Sequence, residues 1–270
     1  MSLLLCRQEH VRHPYFIESL GIHIYSSQEL SYVIYHYPLL VLDGFVGEGL
    51  FAFLREELDQ GFLAMKMERW IKSGESTDDV LVLLLQEGGY CTSSEVAQFR
   101  QKIETLRKKH PAELKKIKAD ELFSMRQYGH AVELYEELLL LNPDEYVNDI
   151  FRGHVWNNLG SCYARMFQLE KAFDAYEKAY MRTSQLQILE QLYYLSQIDS
   201  RLVPGDRLKA MMTEDRVQKW KEKMLAARAN AAQSDSVRDL ETLFSKDPVK
   251  RLEGETKLLG KWKQEYRSMV

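Results

Sequence analysis

Proline and glycine are scarce, 6 and 14 among 270 residues. That scarcity excludes collagen-like and low-complexity chains and favours helix, which both residues disrupt. Cysteine is scarcer still. Cys6, Cys91 and Cys162 are odd in number and far apart, so the disulfide framework of a secreted domain is not encoded, and a reducing, cytoplasmic setting is expected. Long apolar runs are missing as well: the run between Asp79 and Gln86 spans about two helical turns, against the roughly 20 residues that cross a bilayer. It reads as a buried helix, and no membrane partner is expected. The opening MSLLLC has three leucines before charge resumes, too few for the apolar region of a signal peptide.

What is present is the composition of a soluble globular protein, 45% hydrophobic and 28% charged, with length enough for two domains. The net charge of −4 is unevenly spread: −4 over residues 1–110, −5 over 111–200 and +5 over 201–270. Helix punctuation is clear in the first part. Ser26 with Glu29 and Thr92 with Glu95 fit capping boxes, Ser76 with Asp79 is a weaker version, and Gly74 and Gly88-Gly89 sit where left-handed residues end helices. These signals predict helices near 27–37, 47–59, 61–73, 76–88 and 93–109. Ile22 and Ile24 alternate as in a short strand, but no pairing strand is evident.

KKHPAELKK, around Pro111, reads as the boundary that closes a helical region over 1–110. Beyond it the pattern repeats. Ala119, Leu122, Ala131 and Tyr135 align with Gly160, Tyr163, Ala172 and Tyr176 at a constant separation of 41 residues, as in 131 to 172. Trp156-x2-Leu159-Gly160-x2-Tyr163 followed by Ala172-x3-Tyr176 resembles the tetratricopeptide repeat. The small residues suit the close approach of two antiparallel helices, about 8 to 10 Å apart, with Trp156, Leu159, Tyr163 and Tyr176 filling the surrounding space. The resemblance implies an all-α protein: a helical N-terminal region, a short α-α solenoid over 111–200 and C-terminal helices over 201–270 packing on it. Unit one covers about 112–143, unit two about 144–184, and a capping helix runs to 200, since Tyr194 stands where a third unit needs a small residue. The period exceeds the family's 34 by seven, and DEYVNDI, two helical turns' worth, is expected to lengthen the helix leading into Trp156. Helix is expected again over 206–232, then a break at AQSDSVRD, then a final helix from near Pro248.

By that resemblance the first helix of each unit lines a groove for a peptide or a partner's helix. Lys116, Asp120 and Phe123 would face it from unit one, and His154, Asn157, Asn158, Ser161 and Arg165 from unit two. The family's carboxylate clamp is not reproduced: Asp120 stands where an asparagine belongs, and Ile188 and Leu192 replace cations. The expected role is therefore a non-catalytic scaffold or adaptor for a protein or peptide ligand, without cofactor.

Other chemistry is poorly represented. Cys6, His10 and His13 lie close together, but no fourth ligand with zinc-like spacing is found after them, so no metal is expected. Phosphate-cradling and nucleophile-elbow motifs are absent, GFVGEG reads as a turn, and no catalytic set is expected. One alternative has a layout behind it. Residues 80–109 read as helix, short glycine-containing turn and capped second helix, the arrangement of a DNA-binding helix-turn-helix that would present Ser94, Gln98, Arg100 and Lys102. That would make the chain a transcriptional regulator with a peptide-sensing repeat region. The acidity of the preceding region disfavours nucleic acid as a partner, and the lysines 257, 261 and 263, interleaved with glutamates, read as a solvated face.

Overall fold

The computed structural model describes residues 9–18, 20–42, 44–244 and 247–269. The chain divides into two compact units, Met1–Lys118 and Ala119–Val270, the division falling within one helix.

The first unit begins with a hairpin of β1 (Tyr15–Ile17) and β2 (Ile22–Ile24), antiparallel with Phe16 opposite His23. The expected strand at Ile22–Ile24 thus has its partner in Tyr15–Ile17, three residues too few to show an alternating pattern. Ile17 and Ile24 are buried, and Tyr15 packs edge-on against Phe45, 5.9 Å between centroids. Next are helices α1 (Ser27–His36), α2 (Pro38–Val41) and α3 (Glu48–Ala52), the last continuing into a π-helical turn at Phe53–Glu57. Then come α4 (Gly61–Lys72), α5 (Thr77–Glu87) and α6 (Ser93–Arg107). Val80 to Leu85 of α5 are all buried, as a short uncharged run between neighbours demands. Thr92 and Glu95 close a complete capping box on α6. At α1 only half of one forms: Ser26 accepts from the Glu29 N–H, but the Glu29 carboxylate takes the N–H of Tyr25 instead. Gly74 and Gly89 both have positive φ, +89° and +65°.

Pro111 opens α7 (Pro111–Ser124), a position where its missing N–H costs nothing. After it come α8 (Tyr128–Leu140), α9 (Asp149–Arg165), α10 (Leu169–Thr183) and α11 (Leu186–Ile198). The turns joining α7 to α8 and α9 to α10 have the same geometry. Arg126 and Phe167 take left-handed φ of 64° and 57°. Gln127 donates back to the Leu122 carbonyl and Gln168 to that of Tyr163, both at 2.9 Å, the long bond of a Schellman motif. The repeat seen in the sequence is therefore also a repeat of backbone conformation.

The seven additional residues are divided between helix and loop, which corrects the expectation that they lengthen the helix. α9 has 17 residues against 14 in α7, but Asp144 to Asn148 form an ordered turn. Pro143 cannot continue α8, the Asp144 carboxylate accepts the N–H groups of Tyr146 and Val147 at 2.8 and 2.6 Å, Val147 is buried, and Asn148 caps α9. At the end of α10, Ser184 takes the left-handed conformation in place of a closing proline.

The helical stretch expected over 206–232 is interrupted at Met212 and Thr213, giving α12 (Asp206–Met211) and α13 (Glu214–Ala232). The break expected at AQSDSVRD shrinks to the turn at Gln233 and Ser234, since Asp235 starts α14 (Asp235–Phe244). The last helix is α15 (Pro248–Arg267), its first turn capped by Asp247. α11 packs on α10 and also on α13, where Trp220 is buried against Tyr193 at 5.5 Å and Lys223 pairs with Glu190 at 2.9 Å.

Candidate functional site

The site begins with the contact between α9 and α10. Gly160 is buried, and a methyl group added to it would lie 3.0 Å from two ring atoms of Tyr176. Ala172 and Ala179 are fully buried. A second glycine does similar work: a Cβ on Gly153 would meet the Thr183 methyl at 2.4 Å and Arg182 Cβ at 3.1 Å. Sequence reading passed over Gly153, although its place two helical turns before Gly160 put it on the same stripe. The two helices thus run close along their length, with Leu159, Tyr163 and Tyr176 buried around them and Trp156 half-buried beneath the Lys178 ammonium, 4.4 Å from its ring centroid.

A polar motif repeats with the helices. The Tyr135 hydroxyl donates to the Asp120 carboxylate at 2.5 Å, and at the matching positions the Tyr176 hydroxyl and Ser161 Oγ are 3.0 Å apart. Asn158 Nδ2 donates to the same Asp120 oxygen at 2.8 Å, tying α9 to α7 and α8. Burial, and then the bond to Asp120, push the Tyr135 phenol far above its ordinary range. It therefore stays a proton donor to the carboxylate.

Beside this network lies an open cleft of about 690 Å³ between the end of α7, α9, α10 and the first half of α11. The family model of the tetratricopeptide repeat matches residues 153–185, which cover α9 from Gly153 onward, the turn after it and α10. Those residues form a tetratricopeptide repeat. No curated protein and no solved structure matches the chain.

Among the anticipated groove residues, Phe123, Asn157, Ser161 and Arg165 line the cleft beside the repeat. Lys116, in the first unit, is half-buried on α7. Asp120 and Asn158 bond to each other and to Tyr135 instead, and His154 is half-buried outside the lining. Sequence reading missed the contribution of α11, which it treated only as a cap: Gln185, Gln187, Ile188, Glu190 and Gln191 all line the cleft. The signal was the row of glutamines at the start of that helix. Ile188 and Leu192 are buried, so the positions that hold cations in a carboxylate clamp belong to the core.

The electrostatics of the cleft are simple. Its one carboxylate, Glu190, accepts bonds from Tyr194 and Lys223 at 2.5 and 2.9 Å. Its one cation, Arg165, is exposed and has no carboxylate partner among the described residues. The other polar groups are neutral amides and hydroxyls, able to meet the donors and acceptors of a peptide backbone.

Elsewhere the chemistry is less developed. On α6, Ser94, Gln98 and Lys102 are exposed, but Arg100 pairs with Asp79 at 2.9 Å and Arg107 is held by both oxygens of Asp78 at 2.8 and 2.9 Å. Two cations of that face are thereby neutralised by α5. Burial pushes the Cys91 and Cys162 thiols up to about 11 and about 12, so neither is a thiolate at neutral pH. Cys6 and the opening MSLLLC lie outside the described residues; His13 bonds Glu57 at 2.7 Å. Among the described residues, no group of three or more His, Cys, Asp or Glu could hold a metal ion, and no helix is long and apolar enough to cross a membrane.

Proposed function

We propose that the chain is a scaffold or adaptor whose cleft between α9 and α11 holds an extended segment of another protein and selects one with an acidic side chain. Tetratricopeptide repeats are protein-interaction modules, which supports the coarser part of this reading. The finer part rests on one observation: an exposed Arg165 guanidinium without a carboxylate partner among the described residues stands in a cleft of amide groups. A guanidinium pairs with a carboxylate through two parallel bonds, and Asn157, Gln185, Gln187 and Gln191 offer both donors and acceptors along a backbone. The half-buried Phe123 supplies apolar surface for a neighbouring side chain. In this reading residues 111–200 carry the binding surface, 201–270 buttress it, and 1–110 are a separate helical region. Catalysis has no part in it.

Panning a random peptide display library against the full chain tests the reading. Enrichment of Asp or Glu at one position is expected, together with loss of about tenfold or more in affinity for the selected peptides with Arg165→Ala, since a charged hydrogen bond contributes about 1.5–3 kcal/mol. Selected peptides that bind Arg165→Ala as tightly as the parent would refute the role of Arg165.

A further inference from the structure

The apolar residues of α15 are on the outside. Val249, Leu252, Leu259, Trp262 and Tyr266 are between 44% and 68% exposed, although the helix has 20 residues and is about 30 Å long at about 1.5 Å per residue. The helix is covered along another line, where Gly254 lies against the Leu243 side chain of α14. At about 100° per residue, Leu252, Leu259 and Tyr266 fall on one stripe, with Val249 and Trp262 on its two flanks. Lys250, Lys257 and Lys261 lie on the opposite face, and Lys263 and Arg267 border the stripe on the Val249 side.

The charges of the helix are lopsided. Arg251 pairs with Glu255 at 2.9 Å and Lys261 with Glu265 at 3.8 Å, both within the helix. Lys257, Lys263 and Arg267 have no carboxylate partner among the described residues, and only Glu253 stands against them on α15. Residues 201–270 carry +5 in a chain of net charge −4.

We propose that α15 docks in the plane of a bilayer surface containing anionic phospholipids. A helix with aromatic and aliphatic residues on one face and lysines on the other is built for that position. Trp262 and Tyr266, with apolar bodies and polar edges, suit the headgroup boundary. A dry seam against another helix fits less well: Thr256 and Lys263 occupy the intervening positions of the heptad that holds Val249, Leu252, Leu259 and Tyr266, and a lysine there costs stability. At a bilayer surface Lys263 reaches up to the phosphates instead. Spanning the membrane is no part of this mode, so the lack of a spanning helix among the described residues does not bear on it.

Co-sedimentation of the full chain with vesicles tests the proposal. Binding is expected to vesicles of equal parts phosphatidylcholine and phosphatidylserine at low salt, with release as salt rises and no binding to phosphatidylcholine alone. Lys257→Gln with Lys263→Gln lowers partitioning about 30-fold, two charges at about 1 kcal/mol each. Leu259→Glu, at a half-exposed position that folding tolerates, abolishes it, and Trp262→Ala weakens it. Leu140→Glu, on a highly exposed leucine of α8, leaves it unchanged. Failure to bind the anionic vesicles overturns the proposal, as does binding that survives Leu259→Glu. A dimer that Leu259→Glu dissolves, or an acidic protein lost with the same variant, seen without vesicle binding, would likewise overturn it and give the face to a protein.

Discussion

Replacing Gly160 with alanine measures the closeness of α9 and α10 directly. Alanine is favoured over glycine inside a helix by about 0.8–1.0 kcal/mol, and Gly260 of α15 shows what that gain looks like alone, because a Cβ there has nothing within 4 Å. Gly260→Ala should therefore stabilise by about 1 kcal/mol. At Gly160 the new methyl carbon would sit 3.0 Å from Cδ1 and Cε1 of Tyr176 and 3.2 Å from Cγ, where carbon atoms rest at about 3.5–4.0 Å. The ring has to retreat by about 0.5 Å to reach that distance, yet Tyr176 is buried and its hydroxyl is 3.0 Å from Ser161 Oγ. Overpacking of this kind costs about 1–3 kcal/mol, and loosening the hydroxyl bond adds up to about 1 kcal/mol. The helix gain is outweighed, and Gly160→Ala should destabilise by about 1–2 kcal/mol. The same chemical change at two sites then differs by about 2–3 kcal/mol, which is the packing contribution. Urea unfolding followed by circular dichroism and tryptophan fluorescence reads the difference, and both glycines belong to the unit Ala119–Val270, so one transition serves for both. Combining Gly160→Ala with Tyr176→Leu should show a coupling energy of about 0.5–3 kcal/mol. Equal stabilisation by alanine at the two positions would refute the close packing on which the cleft's shape depends.

Gly153→Ala should destabilise through the Thr183 methyl, 2.4 Å from the new Cβ; adding Thr183→Ser, which deletes that methyl and keeps the hydroxyl, should restore about 1 kcal/mol in the same assay. Tyr135→Phe should cost about 1–2 kcal/mol in thermal unfolding, because it leaves Asp120 with only part of its buried bonding, and an unchanged midpoint would contradict the network. The Cys162 thiol, held protonated by burial up to about 12 against an ordinary 9.0, adds nothing to pH dependence below about pH 9; above it the unfolded chain loses the proton first, so stability should fall as pH rises from about 9 towards 12. In a Cys6→Ser, Cys91→Ser background, thiol titration at about pH 8 should accordingly show Cys162 unreactive until denaturant is added, and rapid labelling of the folded protein would contradict its burial. Thr92→Ala should lower the stability of the unit Met1–Lys118 by about 1 kcal/mol through loss of the capping box on α6, measured as a shift in its urea midpoint.

Most helices were legible because their signals are local. Capping hydroxyls such as Thr92 and Ser76, glycines at Gly74 and Gly89, and the buried run of α5 act within a turn or two of sequence. The repeat was legible because Gly160 and Ala172, and their counterparts Ala119 and Ala131, fall at fixed offsets. The pairing of Ile22–Ile24 with Tyr15–Ile17 was not, since strands of three residues carry too little pattern to identify a partner. The turn at Asp144–Asn148 was missed for a different reason: the seven-residue insertion that contains it is as long as two helical turns, and the bonds from Tyr146 and Val147 to Asp144 that favour the turn are read only in space.

The sequence alone determined an all-α chain carrying a tetratricopeptide repeat, because helix caps and small residues at a fixed period are consequences of backbone geometry. The tertiary structure decided which polar side chains of α7 and α9 face the cleft and which are tied up inside the repeat. A turn of a packed helix sends Asp120 and Asn158 into bonds with Tyr135 while Asn157, Ser161 and Arg165 meet the cleft, and the glutamines of α11 join them from the next helix. Adjacent residues such as Asn157 and Asn158 are chemically identical; only the rotation of α9, fixed by Gly153 and Gly160 against α10, separates their roles.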